Sequence, residues 1–290
     1  MATRLSIARN DIFKALDALP SRVLRQADIG ALLERDREFW RLTKSTTVRA
    51  FITYLIETGK LQRVHLPLPH RAETLFVWRE ASPFAIACAA KRGGYLCHYS
   101  AMRHHELTLQ MPETYYVNHE QRPLPPPASG LTQRAIDNAF RGQQRQTTNF
   151  CDFLGKRLCL VNGKHTGRLG VVEATDQFGQ PYSVTGLERT LIDITVRPSY
   201  AGGVSEVLEA FRSAADRVSL NRLAALLEKM DFVYPYRQAV GFYLDRCGAY
   251  EASRVALFRQ SPFEFDFYLT YGMKQTEYSA DWRIRFPAGL

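Results

Sequence analysis

Along the first eighty positions, apolar residues recur at helical spacing in three places and then change to strand-like runs. Ile12, Phe13, Leu16 and Leu19 share one face, and Pro20-Ser21 stops that helix. After the short apolar pair Val23-Leu24, Ile29, Leu32 and Leu33 line a second helix over Gln26 to Asp36. The clearest pattern is Val48, Phe51, Ile52, Leu55 and Ile56, at i, i+3, i+4, i+7 and i+8. It predicts a helix from Ser45 to Thr58, which Gly59 ends through its freedom to adopt left-handed backbone. Leu61 to Leu66 and Leu75 to Trp78 then read as strands around a loop, Pro67 to Thr74. Three helices and a hairpin in that order predict a winged helix-turn-helix over residues 1–80.

Residues 81–182 read as a mixed α/β section. Pro83 to Arg92 is helical with Gly93-Gly94 as its stop, and Pro112 to Val117 is a strand. The Pro123 to Pro127 run with Ala128-Ser129-Gly130 is either a linker or a surface loop. A short helix is expected over Thr132 to Arg141, then strands at Cys159-Leu160-Val161, Leu169 to Glu173 and Tyr182-Ser183-Val184. Asn162-Gly163 reads as a hairpin turn. Residues 183–290 are mainly helical. Thr185 to Asp193 carries a capping box, Thr185 with Glu188. Further amphipathic faces follow at Val204 to Phe211, at Leu220 to Leu227 with Ser219 as N-cap, and at Tyr236 to Cys247. The fold class expected is α+β.

Charge sharpens this division. Net charge is +9, with 38 basic and 29 acidic residues. Residues 1–80 hold 14 Lys/Arg against 9 Asp/Glu, and residues 81–182 hold 11 against 7, while residues 183–290 are balanced at 13 each. The excess therefore lies in the first two thirds, as a nucleic-acid contact there requires, although arginine-rich composition alone gives the same total. Five scattered cysteines without a CxxC pair point to a reducing cytoplasm. Asn10, Asp11 and Lys14 interrupt any leader-like apolar stretch, and no run approaches the roughly 18 to 20 apolar residues of a membrane span.

The third helix carries the candidate chemistry. Lys44, Ser45, Thr46, Thr47, Arg49 and Thr53 occupy its first turn and outward face. Short hydroxyls and cations at a helix N-terminus suit phosphates and base edges in a major groove. His70 and Arg71 in the hairpin loop suit the DNA backbone or the neighbouring minor groove. Some small folds of this shape bind proteins instead, but acids are nearly absent from this face, Glu57 standing at its far end. Arg134, Arg141, Arg145, Lys156, Arg157, Lys164 and Arg168 either extend that footprint or are solvated loop charge. Cys97, His98, His104 and His105 are of zinc-ligand type, but their spacing matches no known site, and solvated or capping histidines are expected. No Walker loop, GxGxxG, GxSxG or HExxH is present, so no catalytic residue, metal or cofactor is assigned. An alternative is a metal-dependent nuclease built from Asp152, Glu173 and Asp176 with Lys164.

The run Thr185-Gly186-Leu187-Glu188-Arg189-Thr190-Leu191-Ile192-Asp193, followed by Arg197-Pro198-Ser199-Tyr200-Ala201-Gly202-Gly203, resembles the AbiEi family, the antitoxin half of type IV abortive-infection toxin–antitoxin pairs. Looser likenesses lie at Tyr95 to Leu107, where His105-Glu106 departs from the family's small or apolar residue, at Pro112 to Val117, and at the closing Phe263 to Leu269 and Asp281 to Pro287. The resemblance implies a winged-helix repressor that binds double-stranded DNA at repeats in its own promoter and counters a cognate nucleotidyltransferase toxin. A winged-helix regulator of another defence operon, without a toxin, is the further alternative.

Overall fold

The computed structural model describes residues 3–123, 125 and 130–290; most of the proline-rich stretch read as a loop or linker lies outside them. The chain mixes helices and sheets, with twelve α-helices and twelve strands among the described residues. None of these helices is long and apolar enough to cross a membrane. Two compact units emerge. One runs to Gly94 and adds Asn149–Leu158 and Glu173–Ser183; the other comprises Tyr95–Thr148, Cys159–Val172 and Val184–Leu290.

The first unit opens with α1 (Arg4–Ile7), α2 (Arg9–Asp17), β1 (Val23–Leu24), α3 (Gln26–Asp36) and α4 (Val48–Glu57). The antiparallel hairpin β2 (Leu61–Leu66) and β3 (Glu73–Trp78) follows, then α5 (Pro83–Ala89). β3 is central in a three-stranded sheet, paired to β1 and to β2 with Leu61 opposite Trp78 and Leu66 opposite Glu73. Ile12, Leu16, Ile29, Leu33, Phe51 and Leu55 pack with Phe76 and Trp78. Leu75, Phe76, Val77 and Trp78 are all buried, so β3 is covered on both faces, α5 packing against it. A strand enclosed on both sides reads as a continuous apolar run rather than an alternation. α5 starts on Ser82, whose hydroxyl accepts from the Ala85 amide at 3.2 Å, with Pro83 supplying a preset first turn.

The chain continues with β4 (Tyr95–Leu96), α6 (His98–His104), β5 (Thr114–Glu120), α7 (Gln133–Arg141), β6 (Phe150–Phe153), β7 (Lys156–Gly163), β8 (Val171–Thr175) and β9 (Pro181–Thr185). The helical part is α8 (Leu187–Val196), α9 (Val204–Ser213), α10 (Leu220–Lys229), α11 (Tyr236–Arg246) and α12 (Ala252–Val255), and β10 (Phe267–Tyr268), β11 (Thr276–Ser279) and β12 (Ile284–Pro287) close the chain. In the second unit β4 pairs antiparallel with β5, Leu96 opposite Val117, and parallel with β9, Leu96 beside Val184. α8 is the hub of this unit, packing on α6, α9, α10 and α11. Leu191, Ile192, Ile194, Phe211, Leu223, Tyr243 and Trp282 share one core. Gly241 lies so close to the Trp282 indole that no Cβ fits there.

Two local expectations are corrected. Asn162-Gly163 is not a turn but the end of β7: the Gly163 amide donates to Asn118 Oδ1 at 2.8 Å, and a Cβ there would sit 2.6 Å from that oxygen. Nor does Thr185 cap α8 with Glu188. Gly186 is the N-cap, the Thr185 hydroxyl is buried against Thr190 at 2.8 Å, and the Glu188 carboxylate accepts from the Ser219 amide at 3.1 Å.

Candidate nucleic-acid interface

α4 buries Phe51, Ile52 and Leu55, and its entry is held by several local bonds. The Thr47 hydroxyl accepts from the Ala50 amide at 3.2 Å, fixing the first turn. Thr43 Oγ1 lies 2.8 Å from Ser45 Oγ and 3.3 Å from Thr46 Oγ1. Arg37, at the end of α3, donates to the carbonyls of Thr43 at 2.7 Å and Thr46 at 3.1 Å, and pairs with Glu34. The approach to α4 is thereby shaped before any ligand arrives. Arg37 was missed in the sequence because a carbonyl acceptor leaves no side-chain pattern.

α4 begins at Val48 rather than Ser45, with Thr47 as its N-cap, so Lys44, Ser45 and Thr46 lie on the approach to the helix and not in its first turn; Lys44, Ser45, Thr47, Arg49 and Thr53 are exposed and Thr46 is half-buried. The first turn of α4 holds no acid, and among the described residues Lys44 and Arg49 have no acidic partner. The arrangement offers helix-end N–H groups, hydroxyls and two unpaired cations to one ligand face, which suits a phosphate backbone and base edges. His70 and Arg71 are exposed in the β2–β3 loop, whose Leu68 is buried. Arg71 lies 3.5 Å from Glu73, whose carboxylate also receives Arg25 at 2.8 Å, so Arg71 is partly neutralised where His70 is not.

The other candidates separate. Lys164 donates to the carbonyls of Met230 and Asp231 at the end of α10, a structural use that removes it from any footprint. Asp176 accepts from the amides of Ser82, Phe178 and Gln180, and Glu173 from the Ser183 hydroxyl at 2.7 Å. Among the described residues no group of three or more His, Cys, Asp or Glu is placed to hold a metal ion, so Asp152, Glu173 and Asp176 are not gathered into one. All five cysteines are free and buried.

His98 is neither solvated nor a cap, contrary to expectation. It is buried between Tyr116 and Tyr200, with Nδ1 3.0 Å from Cys97 Sγ. Burial, reinforced by Arg197 and Arg189, pushes its pKa down to about 3. A histidine kept neutral in the fold but free to protonate when unfolded, near pH 6.5, contributes stability above that value and loses it as pH falls towards 3. His104 and His105 are held low in the same direction by burial; His105 Nε2 donates to the Thr185 carbonyl at 2.7 Å. His98→Asn, which tolerates the left-handed backbone at this position (φ 48), is expected to flatten acid sensitivity. In denaturant titrations from pH 6.5 to 4, wild type should lose about 1.4 kcal/mol per pH unit more than the variant. Parallel pH profiles would refute this.

In the TGLERTLID run, Arg189 is buried and its Nε donates to Asp193 Oδ1 at 2.8 Å, while Nη1 donates to Thr166 Oγ1 and the Leu169 carbonyl. Burial opposes its charge, but Asp193, Tyr95 and Glu120 outweigh that and hold the guanidinium above its usual range. Glu120 in turn accepts from the amides of Thr166 at 2.9 Å and Arg168 at 3.0 Å. These contacts explain the motif's charged residues by folding.

The chain matches no family model and no curated protein. Among solved structures it is similar to the RV2827C protein from Mycobacterium tuberculosis, known from its crystal structure, with a TM-score of 0.55 and 16% identity over 96% of this chain and 90% of that one. At that identity the likeness is one of fold alone.

Proposed function

We propose that the protein is a cytoplasmic, winged-helix DNA-binding repressor and the antitoxin of a type IV toxin–antitoxin operon. In this reading α2, α3 and α4 are the helices of the winged helix-turn-helix, β2 and β3 its wing, and α4 the recognition helix. The observation that carries it is the acid-free first turn of α4 and the segment leading into it, where exposed Lys44 and Arg49 flank a braced cluster of hydroxyls. Lys44, Ser45, Thr46, Thr47, Arg49 and Thr53 enter the major groove, and His70 and Arg71 hold the backbone beside it. The antitoxin role rests on the resemblance of the Thr185–Gly203 run to the AbiEi family, and the cognate toxin is a nucleotidyltransferase encoded beside it.

Salt titration of duplex binding tests the DNA part. Each phosphate held adds about 0.9 to the negative slope of log K against log salt, so binding to the operon's upstream duplex should weaken steeply between low and physiological salt. A flat dependence would turn the basic unit into a protein-contact module. Co-expression with the neighbouring nucleotidyltransferase tests the other part: restored growth supports an antitoxin, and unrelieved toxicity removes that role.

A further inference from the structure

We infer that the β6–β7 hairpin is a second DNA-contacting arm, placing Leu154 in a minor groove and Arg157 on the adjoining phosphates. This rests on the reading of α4 as a DNA-binding helix. The tip of the hairpin and its flanks, residues 149–158, belong to the same unit as α4, and β6 packs against β2, whose Arg63 and His65 are exposed. Its tip is the two-residue turn Leu154-Gly155, with φ of 51° and 75°. Two consecutive left-handed residues make the hairpin turn that asparagine and glycine favour, and a branched apolar side chain is disfavoured there. Leu154 nevertheless occupies it with 60% of its surface exposed. The strand below alternates, Cys151 and Phe153 inward, Phe150 and Asp152 outward. Phe150 stays 39% exposed, and the Arg157 guanidinium lies 4.5 Å over its ring. Among the described residues neither Arg157 nor Arg63 has an acidic partner.

Folding therefore has no use for the leucine: it leaves the core and occupies unfavourable backbone. An exposed apolar tip with stacked arginine behind it is the chemistry of proteins that press a wedge between base steps while holding phosphates. Charge selects DNA over an apolar protein partner, since this unit carries eighteen Lys/Arg against twelve Asp/Glu, and Asp152 is the only acid among residues 150–157.

Binding of the full chain to its upstream duplex, with hydroxyl-radical footprinting, tests the arm through Leu154→Gly and Arg157→Gln. Leu154→Gly eases the turn, so thermal stability should hold or rise while affinity falls about tenfold, the loss of one buried apolar side chain. Arg157→Gln should reduce the salt slope by about one, and both variants should lose minor-groove protection at one edge of the footprint. If both bind and protect as wild type does while Arg49→Ala fails, the arm is overturned and the α4 reading stands. The same holds if Leu154→Gly changes only self-association. If wild type binds no duplex, both fall.

Discussion

Arg189→Met is expected to lower the melting temperature by on the order of 10 °C. The guanidinium is 4% exposed at its side chain, Asp193 11%. Removing it leaves the Asp193 carboxylate and the Leu169 carbonyl without their donor in a site closed to water. Stranding one member of a buried pair costs about 3–5 kcal/mol, whereas replacing both members with apolar residues is often neutral. The double variant Arg189→Met with Asp193→Leu should therefore recover a large part of the loss, and a double-mutant cycle measures the coupling. Gly170 shows how tightly the arginine is enclosed: a Cβ there would lie 2.9 Å from Arg189 Cβ. A shift below about 2 °C for Arg189→Met would contradict the account of this motif as a folding element.

Thr46→Ala combined with Arg49→Ala is expected to remove the preference for the operon's own upstream DNA, with weak binding to any duplex remaining. A forked arginine contact discriminates by about 1–3 kcal/mol, so its loss with a hydroxyl contact removes up to roughly a hundredfold of preference. The fold should survive, because Phe51, Ile52 and Leu55 and the Thr47 cap are untouched. Arg49→Lys separates two roles: charge is kept but the planar fork is not. It should retain the wild-type salt slope and still lose preference. Preference unchanged in the double variant would remove α4 from the groove.

How far the sequence alone reached depends on whether a signal is local. The α4 face was legible because Val48, Phe51, Ile52 and Leu55 repeat at helical spacing, and Ser219 as a cap because its partner, the Arg222 amide, is three residues away. The α8 capping box failed because Glu188 finds the Ser219 amide thirty-one residues on. Asn162-Gly163 imitates a turn, yet its glycine is there for the approach of Asn118, which contributes from another strand. The true hairpin, at Leu154-Gly155, escaped notice because a leucine stands where turn chemistry predicts asparagine. His98 was expected to be solvated or capping; it is the aromatic cage of Tyr116 and Tyr200, assembled from distant segments, that encloses it. In the candidate interface, residue types were legible, while the Arg37 brace and the pairing of Arg71 with Glu73 needed coordinates.

The central claim is that the first unit reads DNA without altering it. A gel shift of the full chain with its own upstream region against random duplex, at physiological salt, with and without magnesium, tests it most directly. The account predicts a shift specific to the upstream DNA, with the duplex intact in both conditions. Magnesium-dependent loss of the duplex would make the protein a nuclease, and no shift with either duplex would contradict DNA binding altogether.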